Sequence, residues 1–181
     1  MTFKQTLKYF ESDIRERARV EKKTVTTATF LKIVFNPMLI VIANYRLQHW
    51  LYSNGLPVAA EFFHWLSVAL FGVDIASAAV IGPEFVLYHA NGIYIGGECE
   101  LGRRVYIYHH SSLGVPPRPG AKKVEGKLVI EDNVVIACGA RVMGAVVIGQ
   151  RSFIAPNEGV TVNVPPRSFF LDGKVARSGS N

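Results

Sequence analysis

Residues 128–160 decide the fold; they read LVIEDNVVIACGARVMGAVVIGQRSFIAPNEGV. An aliphatic residue returns at every sixth position of this stretch, at Ile130, Ile136, Val142, Ile148, Ile154 and Val160. Such a period matches neither the repeat of an α-helix, about 3.6 residues, nor the alternation of an ordinary strand. It is typical of a parallel β-helix, in which six residues form one short strand and one turn.

The same period runs through the part of the chain that precedes this stretch. It holds from Ile75 to Ile93 and, after a slip of two residues, from Ile95 to Leu113. A stretch rich in Pro, Gly and Lys, VPPRPGAKKVEGK at about residues 115–127, interrupts it. We therefore predict a mainly β fold in which three six-residue units form one triangular coil; another all-β fold is the alternative.

The part of the chain before the repeat follows a helical pattern instead. Apolar and charged residues alternate at helical spacing in LKYFESDIRERARV, NYRLQHWLYSNGL and AAEFFHWLSVALFG. The sequence thus predicts a helical region at 1–71 and a β-helix domain at 72–177. The apolar run IVFNPMLIVIA is too short to span a membrane, and the N-terminus lacks the apolar core of a signal peptide, so we expect a cytoplasmic protein.

Composition narrows the classes of partner. The chain carries 20 basic and 14 acidic residues, a net charge of +6, which suits an anionic small molecule or an acidic membrane surface. It lacks the basic cluster with interleaved aromatic residues that would indicate nucleic-acid binding. Cys99 and Cys138 have no metal-binding spacing, so we expect two reduced thiols.

Several motifs together resemble one family. GVDIASAAVIGPEF, YHANGIYIGG, IYHHSSLG, IEDNVVIACGARVMG and VTVNVPPRSFFLDGKVAR resemble the serine acetyltransferase branch of the left-handed β-helix acyltransferases. The resemblance covers about residues 40–177 and includes the helix NYRLQHWL. It implies a left-handed parallel β-helix of hexapeptide repeats after a short α-helical region. It also implies a homotrimer with active sites between subunits, acetyl-CoA as the acetyl donor and no metal.

Two histidines occupy equivalent positions in the repeat. His89 follows Leu87 by two residues and His109 follows Ile107 by two, so both rings should face outward on neighbouring coils, about 4.8 Å apart. Packing in a subunit interface, zinc binding together with His110, and general-base catalysis are the alternatives. Zinc binding is disfavoured because adjacent residues of a strand point to opposite faces.

The resemblance assigns the general-base role to His89 and an orienting role to Asp74. A hydroxyl is a poor nucleophile near neutral pH and needs a base, and a carboxylate behind an imidazole holds its tautomer. The two residues are fifteen positions apart, so their contact rests on the resemblance alone. His109 and His110 would line the acceptor pocket.

The chain departs from the family at the acceptor site. Serine acetyltransferases carry Asp before the catalytic histidine and an Arg–His pair at the end of the long loop, where this chain has Tyr88, Gly126 and Lys127. Because a zwitterionic acceptor needs opposed charges, we expect a sugar hydroxyl, bound by Tyr88 and Lys127. The short exopolysaccharide and colanic-acid O-acetyltransferases then fit best. An L-serine O-acetyltransferase and a non-catalytic assembly subunit are the alternatives.

The resemblance also places the donor in a groove between subunits. The long loop that starts after Leu113, beginning with Gly114, would line the groove. The residues expected to hold the pantetheine arm through their backbone are Cys138, Gly139, Ala140, Ala155 and Pro156. Those expected to bind the phosphates are Lys122, Lys123 and Arg177, although the lysines could equally be solvated loop charges.

Two further features each have two interpretations. The helices of residues 25–70 either make a peripheral contact with the inner face of a membrane or pack on neighbouring subunits. Glu158 stands at an inward position that usually holds a small residue. It either caps the end of the core or meets a base at the trimer axis.

Overall fold

The computed structural model describes residues 2–22, 36–116 and 125–177. Among these residues, three helices come first: α1 (Phe3–Val20), α2 (Pro37–Ser53) and α3 (Pro57–Phe71). The strands that follow are β1 (Val73–Ile75), β2 (Val80–Ile81), β3 (Val86–Tyr88), β4 (Ile93–Ile95), β5 (Cys99–Leu101), β6 (Tyr106–Tyr108), β7 (Ser112–Gly114), β8 (Leu128–Ile130), β9 (Val135–Ile136), β10 (Arg141–Met143), β11 (Val147–Ile148), β12 (Phe153–Ile154), β13 (Gly159–Val160), β14 (Ser168–Leu171) and β15 (Lys174–Arg177).

Local capping sets the helix ends. The hydroxyl of Thr2 accepts a hydrogen bond from the backbone N–H of Gln5 at 3.2 Å. The side chain of Asn36 does the same for Met38 at 2.9 Å. Both satisfy N–H groups that have no partner within their helix. At the other end of the helical region, Gly72 (φ 62°) adopts the left-handed conformation that ends α3 and turns the chain into β1.

The strands form three sheets, which are the sides of a triangular, left-handed β-helix. The first sheet holds β1, β4, β7, β10 and β13, and the second holds β2, β5, β8 and β11. The third sheet holds β3, β6, β9, β12, β14 and β15. All neighbours are parallel except β15, which returns antiparallel to β14 as a hairpin at the C-terminal end. The predicted fold class is confirmed.

The aliphatic residues of the repeat fill the inside of the triangle. Each is at most 4% exposed: Ile81, Leu87, Ile95, Leu101, Ile107, Leu113, Ile130, Ile136, Val142, Ile148, Ile154 and Val160. Burying one such side chain contributes about 1.5–3 kcal/mol. The period of six is therefore the spacing of the core itself.

The first coil is longer than a regular coil. Ile75 pairs with Ile95, which in turn pairs with Leu113, so the first coil exceeds the second by two residues. Ile93 and Ile95 both point inward, at 1% and 0% exposure. The two extra residues therefore lie in the corner 89–92. The repeat pattern places the two-residue slip between Ile93 and Ile95. This placement is wrong, because Ile93 and Ile95 both point inward from the same strand, β4.

Most corners of the β-helix use one left-handed residue. It is the third residue after the core aliphatic, with φ between 57° and 72°, at Glu84, Arg104, His110, Asn133, Gly139, Arg151 and Asn157. This region is sparsely populated by residues other than glycine. The longer corner 89–92 instead has two left-handed residues, His89 (φ 53°), which comes two positions after Leu87, and Gly92 (φ 62°). The two inserted residues thus change the backbone conformation of this corner, and we call 89–92 the rebuilt corner.

A buried polar network attaches α1 and α2 to the first coil. Arg46 and Asp13 are 2% and 0% exposed, and Nε of Arg46 lies 2.9 Å from Oδ2 of Asp13. Arg46 also donates to the carbonyls of Ile81 (2.5 Å) and Gly82 (2.6 Å), and Asp13 accepts from the backbone of Phe85 (2.8 Å). Burial raises the pKa of Asp13 to about 6, although the positive charge of Arg46 opposes the rise.

The helical region also has an apolar outer surface. On α3, Val58, Phe62, Trp65 and Leu70 are between 56% and 84% exposed. Among the residues that the structure describes, no helix combines the length and the apolarity needed to cross a bilayer. The segment 25–35 of the predicted membrane- or subunit-contacting helices lies outside the described residues.

Candidate functional site

Four residues stand at the same position on successive coils, where the third sheet turns into the first. They are His89, His109, Cys138 and Pro156, each two residues after a core aliphatic. Neighbouring coils bond to one another here, since the backbone N–H of Gly139 donates to the carbonyl of His109 at 3.0 Å. We call His89, His109, Cys138 and Pro156 the corner row. It brings the predicted base and part of the predicted donor site onto one edge.

The histidine rings meet at the upper end of the corner row. The centroids of the His89 and His109 rings are 5.7 Å apart and those of His109 and His110 are 5.3 Å apart. His89 and His110 are exposed, whereas His109 is half-buried. Its Nδ1 is buried without a hydrogen-bond partner in the described part of the chain. No group of three or more His, Cys, Asp or Glu side chains there could hold a metal ion.

Gly92 makes the rebuilt corner possible. Its φ is 62°, and a Cβ atom added to it would lie 2.4 Å from Nδ1 of His110. The backbone N–H of His110 donates to the carbonyl of Asn91 at 2.9 Å, so the inserted residues fold tightly onto the coil below. A residue without a side chain is required here by both its conformation and the close approach.

Asp74 has a different partner from the one predicted. It lies on β1, and its Oδ1 is 2.8 Å from Nε2 of His64 on α3. Within the described ranges, Asp74 forms no hydrogen bond with His89. Asp74 pairs with Tyr94 in the first sheet, next to the edge that carries His89, and its Oδ1 is taken up by His64 from α3. His64 had not been singled out, because a histidine inside a helical pattern gives no signal of its own.

Two tyrosines and an arginine flank the histidines. The rings of Tyr88 and Tyr108 stack at 4.4 Å, directly before His89 and His109. The guanidinium of Arg17, from α1, lies 5.4 Å from the centre of the Tyr88 ring. Burial and the neighbouring Tyr108 raise the pKa of Tyr88. Arg17 had not been predicted as a site residue, because it lies in an ordinary amphipathic pattern.

The predicted acceptor residue Lys127 lies elsewhere in this chain. Its ammonium forms an ion pair with Glu100, which belongs to β5 of the second sheet. The corner row lies where the third sheet meets the first, so the structure does not bring Lys127 together with His89 in one chain. Gly126 precedes it with φ 87°, a conformation that suits glycine.

The predicted pantetheine residues fall into two stacked corners. The first, after β9, holds Cys138, Gly139 and Ala140, and the second, after β12, holds Ala155 and Pro156. Ala140 and Ala155 are 0% and 4% exposed, so their side chains belong to the core. Cys138 is half-buried and Pro156 is exposed, and these two present the surface that a ligand can reach.

The two remaining donor residues that the structure describes lie on different sheets. Gly114 ends β7, where a Cβ atom would come within 3.0 Å of the Tyr94 ring. Arg177 ends β15, and its backbone pairs with Ser168. Lys122 and Lys123 lie outside the described residues.

Glu158 caps the C-terminal hairpin. Its carboxylate accepts hydrogen bonds from the backbone N–H groups of Asp172 at 2.7 Å and Gly173 at 3.2 Å. These two residues form the turn between β14 and β15. Glu158 therefore holds this turn at the C-terminal end of the β-helix.

Comparison with known proteins points to one family, although no family model matches the chain. The chain is 36% identical over 145 residues to the plasmid serine acetyltransferase of Synechococcus elongatus, a match of 77% of this chain and 46% of that protein. It is 33% identical over 161 residues to the serine acetyltransferase of Staphylococcus aureus, covering 88% and 68%. It thus spans about half to two thirds of their length.

A solved structure shares the fold over nearly the whole chain. The serine acetyltransferase of Neisseria gonorrhoeae, in complex with serine, superposes with a TM-score of 0.81 at 27% identity, covering 96% of this chain and 69% of that one. These matches overturn the predicted sugar acceptor and the predicted likeness to exopolysaccharide and colanic-acid enzymes. Neither these matches nor the structure supports the predicted membrane contact.

Proposed function

Since the chain belongs to the serine acetyltransferase family, we propose that it transfers an acetyl group from acetyl-CoA to the hydroxyl of L-serine. The corner row carries the proposal: an exposed histidine, His89, shares one edge with the Cys138 and Pro156 corners proposed for the donor. The serine complex of the related Neisseria gonorrhoeae enzyme favours serine as the acceptor.

His89 is the proposed general base. It takes the proton from the serine hydroxyl, and the oxygen attacks the carbonyl carbon of the thioester. Backbone N–H groups would stabilise the negative charge on the carbonyl oxygen. The attack forms the new C–O bond and places the negative charge on the carbonyl oxygen. As the C=O double bond re-forms, the C–S bond breaks, and the proton held by His89 passes to the departing thiolate. The half-buried His109 ring packs edge-on against His89 and limits how that ring can turn.

Asp74 keeps a proposed supporting role near this edge. A carboxylate that accepts from an imidazole N–H stabilises the charged ring and sets its tautomer. In the structure the carboxylate of Asp74 bonds to the imidazole of His64 and not to that of His89. A change of partner on substrate binding would be needed to bring Asp74 to His89.

We propose that the site is completed by a neighbouring subunit in a homotrimer. Two observations support this: His89 is exposed on the surface of its own chain, and Phe62 and Trp65 on α3 are 56% and 60% exposed. Exposed apolar groups of this size favour a protein contact. Light scattering would give the mass in solution, and a monomer at assay concentration would contradict the proposal.

Release of free thiol from acetyl-CoA in the presence of L-serine tests the activity. We expect serine-dependent release by the unmodified protein and almost none by His89→Ala. Binding of acetyl-CoA, measured by calorimetry, should persist in the variant because its donor corners are intact. Binding without serine-dependent release in the unmodified protein would contradict serine as the acceptor. Release that does not depend on His89 would contradict its role as base.

A further inference from the structure

We propose that Arg17 binds the carboxylate of the acceptor amino acid. This inference rests on the proposed function, because only an acceptor such as serine carries a carboxylate beside its hydroxyl. It assigns a specificity role to helix α1, which the motifs of the repeat do not include.

The acceptor carboxylate requires a cation close to the base. Of the two loop-end residues predicted at the acceptor site, Gly126 has no charge and Lys127 is paired with Glu100 on the second sheet. The hydroxyl and carboxylate of serine are on adjacent carbon atoms, so the cation must lie near His89. Arg17 lies against Tyr88, the residue directly before His89.

The position of Arg17 is held firmly from two sides. Its Nη1 donates to the carbonyl of Leu87 at 2.9 Å, and its Nε donates to Glu21 at 2.5 Å. Its guanidinium also lies over the ring of Tyr88, 5.4 Å from the ring centre. A cation fixed in this way loses little freedom when it binds a ligand.

One nitrogen of the Arg17 guanidinium is left for a ligand. Within the described residues its second terminal nitrogen, Nη2, makes no hydrogen bond, and its side chain is 13% exposed. Arg46 provides the contrast: all three of its nitrogens donate to protein acceptors and it is 2% exposed. Arg46 is thus a structural arginine, whereas Nη2 of Arg17 can still donate to a carboxylate oxygen.

The negative charge of Glu21 does not remove this capacity. Glu21 accepts a hydrogen bond from Nε of Arg17, and a carboxylate ligand would approach Nη2, which makes no hydrogen bond to any residue that the structure describes. The ion pair with Glu21 partly balances the positive charge of Arg17 when no substrate is bound. The acceptor site would therefore combine Arg17 from α1, which lies over the Tyr88 ring, with His89 as the base.

The test compares two acceptors that differ in the carboxylate. L-serine has it and ethanolamine lacks it, and both carry the amine and the hydroxyl. For Arg17→Met we expect the KM for L-serine to rise about ten- to a hundredfold, as for the loss of charge-assisted hydrogen bonds. The KM for acetyl-CoA and the use of ethanolamine, as substrate or as competitive inhibitor, should not change. Arg17→Lys should recover part of the loss.

Arg15→Met is the matched control, since Arg15 is on the same helix with its side chain 75% exposed. An equal loss with both acceptors in Arg17→Met would overturn the proposal in favour of a purely structural role. An unchanged KM for serine would overturn it as well. If the unmodified protein does not acetylate serine, the proposed function fails and this inference with it. Serine turnover that is insensitive to Arg17 defeats this inference alone.

Discussion

The coils after the inserted loop are regular, and strands pair there in constant register, as Ile136 does with Ile154. The first coil, from Ile75 to Ile95, is longer by two residues and carries His89 in its rebuilt corner. The regular coils use aliphatic residues and standard corners, whereas the first coil adds polar contacts to α1 and α2. The candidate chemistry therefore lies where the repeat is broken.

The two regions differ because the first coil has no coil above it. Its open end must be covered, and α1 and α2 do this through the buried pair of Arg46 and Asp13. A buried ion pair adds little net stability, but removing one partner is costly because the other charge stays buried. Replacing a buried charged residue at the first coil should therefore lower the free energy of unfolding more than replacing a core residue in the regular coils.

The largest effect should come from His89→Ala in the rebuilt corner. Loss of a general base lowers kcat by about 10²- to 10⁴-fold, because the acceptor hydroxyl then keeps its proton. Arg151→Asn changes an exposed residue in a standard corner and should leave kcat unchanged, since asparagine accepts the left-handed conformation. Asp74→Asn, assayed beside them, tests the orienting role, and a kcat equal to that of the unmodified protein would exclude it.

The second largest effect should come from breaking the buried polar network that attaches α1 and α2 to the first coil. Asp13→Ala leaves Arg46 buried without its counter-charge and should lower the free energy of unfolding by about 3–5 kcal/mol. Ile136→Val removes one methyl group from a regular coil and should cost about 0.5–1.5 kcal/mol. Urea denaturation of both variants measures the difference. A smaller cost for Asp13→Ala than for Ile136→Val would show that the network is not what holds the helices.

The regular coils were predictable because each core position repeats the same physical requirement. A narrow interior accepts an aliphatic residue at every sixth position, so aliphatic residues recur in the sequence with that period. The corner equivalence of His89 and His109 followed from the same count. The placement of the extra residues did not, because Ile93 and Ile95 both satisfy an inward position.

The polar contacts around the first coil could not be predicted in this way. Arg46 and Asp13 are 33 positions apart and Arg17 and Leu87 are 70 apart, so no local pattern relates them. The pairing of His64 with Asp74 depends on how α3 packs on β1. Such contacts depend on where helices dock, and docking leaves no period in the sequence.

Gly92→Ala should have an intermediate effect on the rebuilt corner. A side chain there would be strained at φ 62° and would clash with Nδ1 of His110 at 2.4 Å. We expect a loss of about 1–3 kcal/mol in unfolding free energy and a lower kcat. The matched change in a regular coil is Gly159→Ala, where a Cβ atom meets nothing within 4 Å. Equal melting temperatures for the two variants would contradict the special status of corner 89–92.

The smallest effect concerns pH and the contact of α1 with the third sheet. Burial alone would raise the pKa of Glu16, but hydrogen bonds from Arg19 and Tyr106 and the nearby positive charges outweigh it, so the pKa falls below its ordinary value of 4.5. The folded protein thus holds this proton less tightly than the unfolded chain does. The stabilisation is full above the ordinary pKa and is lost as the pH falls through the folded value.

Unfolding free energies between about pH 3 and about pH 7 measure this contribution, which we expect to be about 1 kcal/mol or less. Glu16→Gln should flatten the part of the acid dependence that comes from this contact. Glu11→Gln, on the same helix but with its side chain 61% exposed, should leave the dependence as it is. If Glu16→Gln also left it unchanged, the contact of Glu16 with Tyr106 would contribute nothing measurable to the attachment of α1.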